Sequence, residues 1–408
     1  MRIEWIDPSE PTASSARRIG EVLRDELAKD PDFRVFSPDE TTSNKLDAVF
    51  EATDRAWLRP LKDWDKYMSP NGRVTELLSE NTLFSLLQGY TLTGRRGMLA
   101  SYEAFLPIVA SQVDQYLKFL SQSVKIKWRK AVPALNILST SVGWRQDHNG
   151  FSHQNPSFIT NLLMKPSGLA NCLFPIDAEA SRAAMEFALH AENVVNLTTF
   201  SKTDEPQWID SNHADFQLAN GGASIFQFAS DEHPQIILTA AGDLVSKEVL
   251  FGMDMARAKL PEIRLRFVGI AALSFDALGT TERRMSQSKF DEMFLEAPPI
   301  IASFHGYADT LKTILGNYTN SARLAVGGFL ERGSTTTPLD MMVQNEVSRY
   351  HIAMKIFEKA KELGIIDEEK RAQLTLEMKA EIRDHLQYIR ENGIDREKDN
   401  SCKMKKKN

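Results

Sequence analysis

VPALNILSTSVGWRQDHNGFSHQNP, residues 132–156, decides how the rest of the chain is read. Residues 132–142 are an apolar run of strand length. Residues 144–154 then set His148 and His153 around an Asn149–Gly150 turn, with Gln146 and Asp147 beside them. A buried strand that runs out into neutral donors, acceptors and imidazoles has the form of a ligand loop at the carboxyl end of a strand, where open α/β sheets bind their ligands. A lone histidine is more often structural than catalytic. Two of them, with Asn, Asp and Gln in one short loop, favour a site. Their spacing matches no zinc signature, so no metal is expected here.

Working outward, residues 71–216 read as one α/β unit. Helices are expected over residues 75–89 and 101–121, strands over 171–175 and 194–200, and a helix between those strands capped by Asp177. Ala184, Phe187, Ala188 and Ala191 give that helix a stripe facing the core. From residue 235 a second series begins. Apolar runs at 236–241, 263–271, 299–305 and 322–328 alternate with helical patterns at 245–259, 308–315 and 339–363, followed by a long amphipathic helix over 368–390. The expected fold class is therefore α/β, with two consecutive open wound sheets. Residues 1–70, broken by six prolines, read as an extended lead-in with helices at 15–29 and 44–57, and residues 394–408 as a disordered basic tail.

The chain has 408 residues and a net charge of −6, which gives no argument for nucleic acid. Cys172 and Cys402, the only cysteines, support neither a disulfide framework nor a cysteine-based zinc site and fit a cytoplasmic location. The N-terminus lacks the apolar core of a signal peptide, and no apolar run approaches the ~18 residues of a spanning helix.

Other residues carry two readings each. Glu80 follows Leu77 and Leu78 and is either solvated or aimed at a ligand nitrogen. Tyr102 and Phe105, three apart, are either a core stripe or a shelf for a heterocycle. Lys202, just past a strand, is either solvated or meets an anion. Gly242–Asp243 is half of a Gly-Asp-Gly diphosphate motif, but Leu244 stands at its third position.

Together, DETTSNKL (39–46), GRVTELLSE (72–80), GYTLTGRRG (89–97), SYEAF (101–105), WRQDHNGFSHQNPSF (144–158), KTDEPQW (202–208), FHGY (304–307), GSTTTPLDM (333–341) and DHLQYIRENG (384–393) resemble the C-terminal half of the phosphoketolases. These are thiamine-diphosphate enzymes that cleave xylulose 5-phosphate or fructose 6-phosphate with phosphate. The resemblance implies a pyrimidine-binding domain over 71–216 and a transketolase-like C-terminal domain over 217–393. It implies that Glu80 hydrogen-bonds the cofactor's aminopyrimidine, with Tyr102 and Phe105 near that ring. His148, Asn149 and His153 would stand over the reacting carbons as catalytic groups. Ser43, Gln146, Asn149 and Lys202 would hold sugar phosphate or inorganic phosphate. The products would be acetyl phosphate with glyceraldehyde 3-phosphate or erythrose 4-phosphate.

The family's pyrophosphate-binding domain, whose Gly-Asp-Gly…Asn motif holds Mg2+ and diphosphate, has no counterpart in this sequence. The resemblance therefore implies a partner polypeptide that supplies it, and a homo- or hetero-oligomer. No membrane or nucleic-acid partner is expected. Two other readings stay open: a non-catalytic assembly subunit, and a subunit like the beta chain of two-oxoacid dehydrogenases, which has the same domain pair.

Overall fold

The structure, a computed structural model, describes residues 12–38, 40–332 and 335–396. The expected tail lies almost wholly outside these residues, as do the first two residues of the 333–341 motif. Among the described residues two large open sheets form, with a two-stranded antiparallel ribbon of Thr12–Ser14 and Asp204–Pro206 beside them. The larger has ten strands, in the order Ala277–Leu278, Ala272–Ser274, Ala170–Leu173, Val195–Thr199, Leu135–Thr140, Gly97–Tyr102, Arg34–Ser37, Val74–Glu76, Arg55–Ala56 and Met68–Ser69. All are parallel except the first two, which run antiparallel to their neighbours. The smaller sheet runs Ala223–Ile225, Leu265–Ile270, Ile236–Ala241, Ile300–Phe304 and Leu324–Gly327, parallel but for its first strand. No described helix is long and apolar enough to cross a membrane.

Parallel strands are covered on both faces, so both sets of alternating side chains are buried. Leu135–Thr140 and Ile236–Ala241 are buried along their whole length. The Ser15–Lys29 helix starts at Ser14, whose side chain accepts from the Arg17 N–H, and buries Ile19, Leu23 and Leu27 at helical spacing. It packs on the Ala178–His190 helix, whose small buried Ala180, Ala183, Ala184 and Ala188 permit close approach. Asp177 caps that second helix as expected, its Oδ1 accepting from Ala180 N at 2.9 Å. Its Oδ2 also accepts from the Trp208 and Ile209 amides.

Several expectations need correction. Residues 12–51 are not an extended lead-in: Arg34–Ser37 lies inside the larger sheet, paired on both sides. The helix expected over 44–57 shrinks to a 3-10 turn at Asp47–Glu51, and Arg55 instead pairs as a strand residue. Over 75–89 the chain is first a strand, Val74–Glu76, and only then a helix, Glu80–Leu92. Over 101–121, Tyr102 ends a strand and Glu103–Val109 is a 3-10 segment containing Pro107, which has no N–H to give a regular helix; the α-helix begins at Ala110. The boundary expected near residue 216 is also crossed, because residues 272–278 return to pair with Ala170–Leu173 of the first sheet.

In the second half the expected strands and the final helix, Glu368–Asn392, lie within a few residues of their predicted places. The helix expected over 339–363 is two, Pro338–Gln344 and Arg349–Glu362. They break where Arg349 turns back on the buried Glu248, donating from its backbone N at 2.8 Å and from Nη2 at 2.7 Å.

Candidate active site

Five neighbouring parallel strands of the larger sheet end along one crest, and each hands its following residues to it. Arg34–Ser37 leads to Ser43, Val74–Glu76 to Glu80, Gly97–Tyr102 to Tyr102 and Phe105, Leu135–Thr140 to the 144–154 loop, and Val195–Thr199 to Lys202. The rings of Tyr102 and Phe105 stack with centroids 5.9 Å apart and planes 11° from parallel. His153 stands edge-on to Phe105 at 5.3 Å and tilted against Tyr102 at 6.3 Å. The Tyr102 hydroxyl shares a hydrogen bond with Ser43 Oγ at 3.2 Å. Lys202 Nζ lies 5.4 Å from the Tyr102 ring centroid. The two rings thus stack where a strand passes into a 3-10 segment, not on the helix face first expected.

Lys202 is tethered by donating to Ser141 Oγ at 2.9 Å, and Ser141 in turn donates to Asn44 Oδ1 at 3.1 Å. Ser141 has φ +47°, a left-handed conformation that costs a non-glycine residue about 1–2 kcal/mol. Strain of this kind collects at functional sites, and here it turns the hydroxyl between the lysine and the Asn44 turn. Burial lowers the Lys202 pKa, against a rise from Glu40. Glu80 is the first residue of its helix, behind the cap Ser79, and its charge acts on Glu40.

Gln146 is buried, its Nε2 donates to Ser141 O at 3.0 Å, and its Oε1 accepts from Asn149 Nδ2 at 2.7 Å. It thereby holds the Asn149 side chain. His148 is exposed and makes no hydrogen bond or ring contact with the shelf. A cleft of about 410 Å³ opens beside the loop, lined by Ala104, Phe151, Ser152, Gln154, Asn155 and Glu331.

Beneath the crest lies a buried group that sequence reasoning missed. Glu103, next to Tyr102, accepts from Gly143 N at 2.7 Å and meets His305 Nε2 at 2.7 Å, both side chains 1 % exposed. Burial would lower the His305 pKa, but the Glu103 carboxylate and Asp243 outweigh it and raise it. Asp243, fully buried, is pushed up to about 6 by burial, although Ser201 N donates to it at 2.7 Å. Trp144 Nε1 donates to the His305 carbonyl at 2.8 Å. Gly242, at φ +118°, lets the chain pass here: a Cβ would sit 2.8 Å from His305 Cβ. The group thus ties the ends of strands from both sheets to the start of the histidine loop. The sequence signals were an acid between two candidate aromatics, the half-matched Gly-Asp and His305 in the FHGY stretch (304–307), which nothing in the sequence joined. Among the described residues no cluster of three or more His, Cys, Asp or Glu is arranged to hold a metal.

With this geometry in view, the chain was compared with known proteins. The family model described as D-xylulose 5-phosphate/D-fructose 6-phosphate phosphoketolase matches residues 17–191, and the model of that family's C-terminal domain matches residues 202–404. A probable phosphoketolase of Bradyrhizobium diazoefficiens is 36% identical over 401 residues, covering 96% of this chain and 49% of its own length. One of Pseudomonas putida is 38% identical over 395 residues, covering 95% and 49%. The chain thus spans about half the length of these relatives. Among solved structures, a transketolase of Pichia stipitis superposes with a TM-score of 0.65 at 15% identity, over 90% of this chain and 48% of its own. A split-gene transketolase, described as an inactive beta4 tetramer, gives a TM-score of 0.57 at 13% identity, over 86% of this chain and 98% of its own. At these identities the structures show a shared transketolase-like α/β fold.

Proposed function

The chain belongs to the D-xylulose 5-phosphate/D-fructose 6-phosphate phosphoketolase family, and from that premise we propose that it carries the pyrimidine-side and substrate-side half of a thiamine-diphosphate site. The reaction is phosphorolytic C–C cleavage of xylulose 5-phosphate or fructose 6-phosphate by inorganic phosphate to acetyl phosphate, the shortened aldose phosphate and water. One observation supports this above all others: the stacked Tyr102–Phe105 shelf with His153 at its edge, on the same crest as Glu80. A flat, half-exposed aromatic face beside a carboxylate suits an aminopyrimidine ring, which is planar and has a basic nitrogen.

When bound, thiamine diphosphate supplies a nucleophilic carbon and an electron sink for the cleavage. The chain's residues do the rest. Glu80 holds the proton at the ring nitrogen, and Tyr102 and Phe105 orient the ring. His153, His148 and Asn149 move protons to and from the substrate oxygens, with Gln146 fixing Asn149. Lys202, with Ser43, takes the phosphate oxygens; the lysine is already aimed by Ser141. Diphosphate and Mg2+ would be held by a pyrophosphate-binding domain, and a site shared in this way makes an oligomer part of the proposal.

The test is to combine the full chain with a polypeptide bearing that domain and assay acetyl phosphate from xylulose 5-phosphate and phosphate. Formation that requires thiamine diphosphate and is lost in Glu80→Gln supports the reading. A soluble complex that binds the cofactor and yields no acetyl phosphate overturns it.

A further inference from the structure

The Ala110–Ser123 helix runs out into residues 124–131, VKIKWRKA, a stretch that the candidate site does not use. Apolar and basic residues alternate through it: Val124, Ile126 and Trp128 against Lys125, Lys127 and Arg129, with Lys130 following. Every residue from 124 to 131 is exposed. Trp128 is 84 % exposed, and Phe119, on the helix just before, is 67 % exposed. Large aromatic side chains are ordinarily covered by packing. Successive turns shape the stretch: Lys125 N donates to Gln122 O at 3.2 Å, Ile126 N to Ser123 O at 3.1 Å and Arg129 N to Ile126 O at 3.0 Å.

The charges are as open as the rings. Lys118, also exposed, joins Lys125, Lys127, Arg129 and Lys130, and among the described residues none of these has an ion-pair partner. Asp114, one turn before Lys118, is taken by Lys165 at 2.7 Å. Glu192, bridged through its backbone to Pro133 just after the stretch, pairs with none of them. The chain as a whole carries −6, so this is a local concentration of the opposite sign. It also lies apart from the crest. The stretch enters Leu135–Thr140 at its amino end and the histidine loop leaves the carboxyl end, about 20 Å away along the strand.

We propose that Phe119 and residues 124–130 form a docking face for the surface of a bilayer that contains anionic lipid. Charge complementarity selects the partner: unneutralised cations favour a negative surface, and each one held there strengthens binding about fivefold. The uncharged residues narrow it further. Trp128 and Phe119 suit the headgroup level, and Val124 and Ile126 suit the acyl boundary, while the long Lys and Arg stems keep their charges in water. A single-stranded nucleic acid would stack bases on the two rings but has no use for exposed aliphatic side chains. Docking of this kind is peripheral and reversible, and it leaves the crest at the other end of the strand open. It does not depend on the thiamine reading.

The test is cosedimentation of the full chain with vesicles of phosphatidylcholine, alone or mixed with phosphatidylserine. Binding to the mixed vesicles, weakened by salt and absent from phosphatidylcholine alone, is expected. Combining Lys125→Gln, Lys127→Gln, Arg129→Gln and Lys130→Gln should weaken it by about a hundredfold or more, whereas Lys125→Arg, Lys127→Arg and Lys130→Arg together should keep it. Brominated acyl chains should quench the tryptophan fluorescence of the bound chain, and Trp128→Phe should lose that quenching while still binding. Should the combined glutamine variant fail to fold, the Trp128→Phe quenching decides alone. No binding to mixed vesicles, binding that survives the glutamines, or quenching that survives Trp128→Phe overturns the proposal. So does displacement by glycerophosphoserine, which would mean that the headgroup is bound without the bilayer. A preference for single-stranded oligonucleotide over vesicles, or a self-association that shields Trp128 and leaves vesicles unbound, overturns it as well.

Discussion

His153 and His305 both follow the carboxyl ends of parallel strands, one on each sheet, yet the fold uses them in opposite ways. His153 is half-exposed, leans on two aromatic rings and meets Ser152 Oγ at 2.9 Å. His305 is sealed off, its Nε2 fixed by Glu103 and its ring pressed under Gly242. An imidazole that must exchange protons with a ligand needs an open face and freedom to move. One that joins two sheets needs neither. The difference shows that a histidine's job here is set by which acid its neighbours supply and by whether water reaches it.

The largest effect that tests this contrast is on the buried side. Glu103→Leu leaves a buried imidazole without its anion and should cost about 3–5 kcal/mol of unfolding free energy in urea. A loss below about 1 kcal/mol would mean that the pair holds little charge. On the open side, His153→Ala should lower turnover of the completed enzyme by about 10²-fold or more while leaving the urea midpoint of the chain near wild type. If stability fell with activity, His153 would be a structural residue like His305. The smallest effect is one of pH. Burial raises the native pKa of Asp243 to about 6 from its ordinary 3.8, so its contribution to stability is complete below about 3.8 and is lost as pH rises through about 6. His305, also raised, works in the same direction: its contribution is full below its ordinary value of 6.5 and lost as pH climbs through the raised one. The gap between wild type and Asp243→Asn should therefore shift in the variant's favour between pH 4 and 6, as measured by unfolding at several pH values. A pH-independent gap would refute the buried-acid account.

Much of this was legible from residues 132–156 outward, because apolar runs of strand length ending in polar loops can be read without knowing their neighbours. Four of the second sheet's five strands were found on that ground, all but the short Ala223–Ile225, and Asp177 was found because a cap is a local device. The helix expected at 75–89 failed for a related reason: Val74–Glu76 is too short to show alternation, and its partner lies some forty residues away in sequence, at Arg34–Ser37. Tyr102 and Phe105 were paired correctly through the wrong geometry, since a strand end followed by a 3-10 turn also brings residues three apart together. Glu40 and Glu103 were passed over because what singles them out is non-local. One has a single side-chain oxygen shut away without a partner, and the other has a histidine 202 positions away.

The return of residues 272–278 to the edge of the first sheet has a consequence for how the chain is made. Until Ala272–Ser274 is synthesised, Ala170–Leu173 presents an unpaired row of backbone donors and acceptors. The gap is roughly a hundred residues, or roughly 5–20 s of translation at common elongation rates. Through that interval the nascent first sheet is open to pairing with any other extended chain, including a second copy of itself. Cutting the gene between the two sheets would make that interval permanent. The two halves are therefore expected to travel together through evolution as one unit.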